Sequence, residues 1–303
     1  MKIIKSERVT WVDILSPTEK DVKYIKERFF FHPFILKSIV PPFRHPRFEN
    51  YGNYLFLVLH FPFFDKKTQE TKPRELDILI TKDTIITIHY NTILPLRELF
   101  TRLSLYENER KEFTDQGVGE VLYRLLNKFL KSFFPKLDHI DEKIDEIEEQ
   151  IFQGKEKEVI KQISTLKHDL INFQRITQPQ IVVFEALKET SKEFFGKEFY
   201  PYFSELFNCF LNIREVLQNH HQTLIELEQT NSNLLSTKTN EIIKILTIFT
   251  VILTPMTLIA NIYGMNVSHL PFIGRDNDFW IITGLMITSL LLTFAYIKIK
   301  KWL

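Results

Sequence analysis

Five polar side chains are spaced along an apolar run near the C-terminus: Thr247, Thr250, Thr254, Thr257 and Asn261. Intervals of three, four, three and four residues put all of them on one face of an α-helix. The run leads into Gly264-Met265-Asn266, which adds one more amide. Hydroxyls and amides are neutral hydrogen-bonding groups. The stripe has no carboxylate of the kind that would replace the water shell of a cation. Such a face has two uses: it holds helices together in a dry interface, or it lines water. Taken singly, each threonine also satisfies itself on its own backbone. Against water, neutral acceptors suit an ion that keeps its hydration shell, and Mg²⁺ dehydrates reluctantly. Pro255 lies within the run and frees a backbone carbonyl one turn back, near Val251.

The elements that must carry this stripe are membrane spans. Ile245 to Ile262 is uncharged and long enough to cross a hydrocarbon core of about 30 Å. Phe279 to Ile297 is a second such run, with Trp280 and Tyr296 near its ends as interfacial anchors. The loop between them, 264–278, carries the breakers Pro271 and Gly274. Lys238 and Lys244 flank the first span, and Lys298, Lys300 and Lys301 follow the second. The loop has only Arg275, offset by Asp276 and Asp278. This asymmetry predicts a multi-pass protein of the plasma (inner) membrane, both termini cytoplasmic and the loop outside. No signal peptide is expected, since 1–13 lacks an apolar segment.

Composition is that of a large soluble part with a small membrane part: 44% hydrophobic, 25% charged, net charge +1. A balanced charge gives no argument for nucleic-acid binding. A single cysteine, Cys209, excludes disulfide frameworks and Cys-based zinc sites within one chain. The 28 phenylalanines point to aromatic cores rather than to chemistry. Walker A, Gly-x-Ser-x-Gly and His-Glu-x-x-His patterns are absent, and Gly117-Val118-Gly119 is followed by Leu122 rather than a third glycine. No enzyme is therefore expected, and no organic cofactor.

Residues 1–112 read as an α/β domain. Tyr54–His60, Leu76–Ile80 and Thr84–His89 are predicted strands, the last two joined at Lys82-Asp83. Ser16-Pro17-Thr18-Glu19 opens a helix with Ser16 as N-cap, and Pro41-Pro42 and Pro46 mark a loop. Residues 113–239 read as helical. Leu137, Ile140, Ile144, Ile147 and Ile151 form one apolar stripe, opposite an acidic face from Asp138 to Glu149. A second stripe, Ile160, Ile163, Leu166, Leu170 and Phe173, follows a turn at Gly154 and makes a helical hairpin. Leu206, Phe210, Ile213, Leu217, His220, Leu224, Leu227, Asn231 and Leu234 keep a 4,3,4,3 seam. The spacing predicts one helix from Ser204 to Ile262, stalk and first span together, whose seam a homo-oligomeric bundle would bury. His220-His221 with Glu226 and Glu228 reads as stalk surface. Residues 240–303 are the membrane domain, ending in a basic tail, 298–303.

The chain resembles the CorA family of magnesium and cobalt transporters. The likeness is carried by Asn240-Glu241, Lys244, Pro255, Thr257, Ala260, Tyr263-Gly264-Met265-Asn266 and the C-terminal Lys300-Lys301-Trp302-Leu303. His32-Pro33, Arg47-Phe48-Glu49, Tyr51 and the strand from Tyr54 extend it across the chain. The resemblance implies a funnel-shaped homopentamer in a lipid bilayer, with one pore formed by five copies of the first span. It implies pore-lining positions at Asn240, Ile243, Leu246, Thr250, Thr254, Thr257 and Asn261, leaving out Thr247. It makes Gly264, Met265 and Asn266 the selectivity filter, with Asn266 holding the ion through its waters. Ile243 and Leu246 become the apolar constriction. The implied cargo is Mg²⁺, with Co²⁺ and Ni²⁺ also passed, entering passively on the membrane potential and gated by cytoplasmic Mg²⁺. By register from Asn240 the family's stalk acid falls on Glu205, and the next acid falls on Asn208. Asp77 and Asp83 are candidates for its N-terminal partner.

Two departures stand out. Where the family has Met-Pro-Glu-Leu the loop reads Leu270-Pro271-Phe272-Ile273, so an outer-mouth acid is missing at Phe272. Asn261 replaces a small residue and adds a second amide ring. The rival readings are a ZntB-like Zn²⁺ transporter, which the neutral loop favours, and a membrane-anchored coiled-coil scaffold that transports nothing.

Overall fold

The computed structural model describes residues 1–300 apart from 40–44, 66–67, 69, 267–269, 273 and 275–276. The expectations placed on Pro41-Pro42, Ile273, Arg275, Asp276 and Lys301-Trp302-Leu303 lie outside the described residues. By its internal contacts the chain divides into Met1–Glu228 and Gln229–Leu303.

The first unit is built on a six-stranded mixed sheet. Its strands are β1 (Lys2–Lys5), β2 (Thr10–Leu15), β3 (Arg47–Asn50), β4 (Leu55–Asp65), β5 (Glu70–Ile80) and β6 (Thr84–His89), in the order β1-β2-β6-β5-β4-β3. Among the described residues only β2 and β6 pair in parallel. The three predicted strands are present, but β4 and β5 are longer, forming a ladder from Leu55↔Ile80 to Asp65↔Glu70. The added length takes in Pro62 and Pro73. They face each other in register, so both missing N–H donors fall on one rung.

The first three strands in chain order were not legible. The first and third are short edge strands with charged side chains. The second is buried through Trp11, Val12, Asp13 and Ile14, and its carboxylate interrupts the apolar pattern. That carboxylate is satisfied inside: Thr87 donates its hydroxyl to Asp13 Oδ1 at 2.7 Å, and Trp11 Nε1 donates to Thr87 Oγ1 at 3.0 Å. His89 Nε2 lies 3.3 Å from the same carboxylate.

Two helices, α1 (Glu19–Arg28) and α2 (Pro33–Ser38), cover one face of the sheet, packing Ile25 and Ile35 against Val12, Phe56, Leu79 and Ile88. The N-cap of α1 is Thr18 rather than Ser16: the Thr18 hydroxyl and the Asp21 carboxylate form a reciprocal capping box. Ser16 instead turns the chain with φ +52°. Next come α3 (Leu94–Leu105), α4 (Glu107–Thr114) and α5 (Val118–Lys131), and Trp11 meets Phe100 of α3 edge-on at 5.1 Å.

The hairpin is α6 (Phe134–Phe152) and α7 (Glu156–Thr177), turned by Gly154 at φ +85°, where a side chain would be strained. The first apolar stripe is buried throughout; in the second, Val159 at 0% exposure takes the inward place expected of Ile160, which is 52% exposed. Helix α8 (Ile181–Phe194) precedes α9 (Tyr200–Tyr263), a single helix of 64 residues and about 96 Å at 1.5 Å per residue. The last helix, α10, spans Asp278–Ile299.

The seam of α9 is buried differently from the expectation. Leu206, Phe210, Ile213, Leu217, Leu224 and Leu227 are buried within one chain. Phe210 stacks on Phe184 of α8 at 4.4 Å, and Gln174 of α7 donates to the Leu217 carbonyl at 3.0 Å. Lys167 reaches Glu228 at 2.6 Å. Up to Leu227 the seam is therefore covered by the chain's own helices, and needs no second copy.

Candidate functional site

The second unit holds two helices long and apolar enough to cross a membrane, the end of α9 and all of α10. On α9 the partly covered positions are Ile248, Val251, Ile252, Pro255, Met256, Ile259 and Tyr263. At 100° per residue these form one stripe. Thr250, Thr254, Thr257 and Asn261 fall on the opposite face and are exposed. Asn240, Ile243 at 53% exposure and Leu246 at 61% continue that exposed face toward the N-terminal side. On α10, Ile282, Met286, Ser289, Leu290, Thr293 and Ile297 make the corresponding covered stripe.

Every threonine of the stripe donates its hydroxyl proton to its own helix. Thr247 bonds the Ile243 carbonyl at 2.7 Å, Thr250 that of Leu246 at 2.9 Å, Thr254 that of Thr250 at 2.7 Å and Thr257 that of Thr254 at 2.9 Å. Backbone bonding therefore does not set Thr247 apart from the others. It also fixes the polarity of the face: with the proton committed inward, each oxygen has only lone pairs to offer outward. A row of acceptors suits water molecules whose own oxygens point at a cation.

The helix closes at Gly264, whose N–H donates to the Ala260 carbonyl at 2.9 Å; a Cβ there would sit 3.1 Å from that oxygen. Met265 N–H reaches the Ile262 carbonyl at 3.3 Å, and Asn266 follows, exposed, outside the helix. In the loop Phe272 has φ +70° and is 46% exposed. At the start of α10 the Asp278 carboxylate accepts the Phe279 N–H at 2.7 Å. Trp280 and Tyr296 are 72% and 56% exposed, as interfacial anchors need to be.

The three regulatory candidates lie in different settings. Glu205 is exposed on α9 and accepts a hydrogen bond from Tyr123 of α5 at 2.9 Å. Burial, then that bond, push the Tyr123 hydroxyl up to about 12. Asn208 is exposed on the same helix. Asp83 sits in the β5–β6 turn and accepts from Thr81 and Thr84 at 3.0 and 2.9 Å. Asp77 is fully buried in β5 and accepts from Tyr90 at 3.1 Å. The acidic residues of α6 are exposed, with His220 approaching Asp141 at 3.5 Å. Among the described residues no group of three or more His, Cys, Asp or Glu side chains is gathered to hold a metal. Tyr123, 82 residues from Glu205, carried no local signal of its contact with it.

A mixed-sheet domain, a helix running on into an apolar span, and a second span define a two-span membrane protein. A family model described as CorA-like Mg²⁺ transporter protein matches residues 6–300, and the chain belongs to that family of transporters, not to a family of enzymes. It is 27% identical to the cobalt/magnesium transport protein CorA of Thermotoga maritima, over 98% of this chain and 84% of that one. It is 26% identical to the CorA of Methanocaldococcus jannaschii, over 96% and 90%. The complete structure of the latter transporter superposes with a TM-score of 0.83 over 100% of this chain and 95% of that one, at 23% identity. The ZntB cytoplasmic domain of Vibrio parahaemolyticus shares the fold of 77% of the chain, and this chain spans 90% of that domain, with a TM-score of 0.63 at 12% identity.

Proposed function

We propose that five copies of this chain enclose a water-filled pore through which Mg²⁺, and with it Co²⁺ and Ni²⁺, enters a cell in hydrated form. The observation that carries this is the exposed face of the first span. A lone span would turn Thr250, Thr254, Thr257 and Asn261 toward lipid. The threonines are partly satisfied on their own backbone, but an amide in hydrocarbon without a partner costs several kcal/mol, about 2–7. A shared water column removes that cost and uses the outward lone pairs as acceptors for the ion's waters. The described residues of the stripe offer no charge that would draw a cation out of its shell.

In this reading Asn266 rings the outer mouth, with Gly264 and Met265 setting its approach, and Asn261 forms a second amide ring below. Thr257, Thr254 and Thr250 follow. Ile243 and Leu246 form the constriction that closes by dewetting, near Asn240 at the cytoplasmic end. The lysines flanking the spans support termini in the cytoplasm and the loop outside. A divalent ion then gains about 4.6 kcal/mol per 100 mV on entry, twice the single-charge value, so no ATP is needed. Cytoplasmic Mg²⁺ bound between copies would hold the assembly closed. Glu205 and Asp83 are the exposed candidates for that site; Asp77, enclosed in the sheet, would have to be uncovered first.

Asn266→Ala tests the reading. In liposomes loaded with a Mg²⁺ indicator it should cut entry at least tenfold while leaving the fold intact. Unchanged entry would remove the mouth ring. The neutral Phe272 loop favours one rival, Zn²⁺ as cargo. Competition separates the two: excess Mg²⁺ failing to suppress Zn²⁺ uptake would favour the rival.

A further inference from the structure

Two cations share an aromatic cavity in the first unit that the transport reading leaves without a role. The cavity, of about 290 Å³, lies between β4, β5 and the α5–α6 junction. Phe61 stacks on Phe129 at 4.4 Å and meets Phe133 edge-on at 5.9 Å, and these rings with Ser132 form its wall. Arg74 and Lys136 line it together. The Arg74 guanidinium lies over the Phe63 ring, 3.2 Å from its centre, and donates to the Thr92 carbonyl. Lys136 donates to the Pro62 carbonyl.

Neither cation has a carboxylate within 4.0 Å among the described residues. The acids that act on them are engaged elsewhere: Asp65 with Lys72 at 2.9 Å, and Asp169 with the Thr71 N–H at 2.7 Å. Burial, then the charge of Arg74, bring the Lys136 ammonium down to about 8. Carbonyls solvate two like charges but do not neutralise them. Both side chains are partly exposed, so a ligand can reach them. Small-molecule sites combine this kind of apolar wall with a few convergent polar groups, and about 300 Å³ is the lower end of their size range.

We propose that this cavity binds a small organic anion of the aryl carboxylate type, its carboxylate on Arg74 and Lys136 and its ring among Phe61, Phe129 and Phe133. The site is built from residues of the first unit alone, and its failure would leave the transport reading untouched.

The test uses the full chain in nanodiscs and fluorine NMR of 4-(trifluoromethyl)benzoate. The expected result is saturable line broadening. Binding should weaken about tenfold for the uncharged 4-(trifluoromethyl)benzyl alcohol, and by a similar factor in Lys136→Gln and Arg74→Gln. Ser132→Trp, which fills the cavity and keeps both cations, should abolish it. Acetate should compete poorly, lacking the ring. No saturable binding, or equal binding of acid and alcohol, would overturn the proposal, and so would unchanged binding in both charge variants. The comparison of acid with alcohol on the unaltered chain decides the matter even if Arg74→Gln fails to fold.

Discussion

At the scale of single residues, the threonines of the stripe present oxygen lone pairs outward, because their hydroxyls donate to backbone carbonyls at 2.7–2.9 Å. Thr250→Val and Thr254→Val preserve shape and remove those acceptors. Each should slow Mg²⁺ entry several-fold, whereas Thr247→Val should leave it within about twofold if that position lies outside the lining. Indicator-loaded liposomes would read both. Lys136 offers a test of a different kind. Burial lowers its folded pKa to about 8 from the ordinary 10.5. Between those values the unfolded chain holds the extra proton, so stability rises with pH from about 8 toward 10.5. The cost of the buried ammonium is fully present below pH 8. Lys136→Met should remove this slope and raise stability at pH 7 by about 1–3 kcal/mol. Unfolding midpoints of the two proteins at pH 7 and pH 9.5 would check the sign.

At the scale of elements, the spans were legible because a long uncharged run has few other uses. The apolar runs in β4, β5 and β6 were legible for a similar reason, that they are long and rich in β-branched and aromatic residues. Where a polar group is satisfied by a distant residue the pattern breaks, and the strand disappears from view. Asp13 hides β2 in this way, its carboxylate being held by the Thr87 hydroxyl from another strand. The helical seam shows a different limit: period 3.5 reveals that Leu206 to Leu227 pack against something, but not whether that is another copy or the same chain. Here α7 and α8 fill the place. Leu217→Ala should therefore cost about 2–5 kcal/mol of first-unit stability and leave oligomeric state unchanged. Chemical denaturation beside sedimentation would separate the two. Spacing alone groups the four threonines and Asn261 on one helix face, and Asn266 enters through the family resemblance, whereas the Tyr123 partner of Glu205 had no signal in the sequence. The N-cap moved from Ser16 to Thr18 because the residue three positions on from Thr18 is Asp21, which completes a reciprocal pair.

At the scale of the whole molecule, membership in the CorA-like family supplies the class, and the exposed polar face is the ground for the proposed assembly. In the proposed reading, Thr250, Thr254, Thr257 and Asn261 become the lining of a shared aqueous path. In the proposed reading Phe272, with its backbone at φ +70°, lies at the outer mouth, where the resemblance implies an acid. Phe272→Glu should raise entry rates at low external Mg²⁺ and low ionic strength, where a charge at the mouth concentrates cations, with the gain shrinking as salt is added. The most direct measurement is Mg²⁺ entry into indicator-loaded liposomes containing the purified protein, driven by an inside-negative potential and started at low internal Mg²⁺. A potential-dependent signal that slows as internal Mg²⁺ accumulates is the expected result. Liposomes that stay dark at every potential, with correctly folded protein in their membranes, would contradict the central claim.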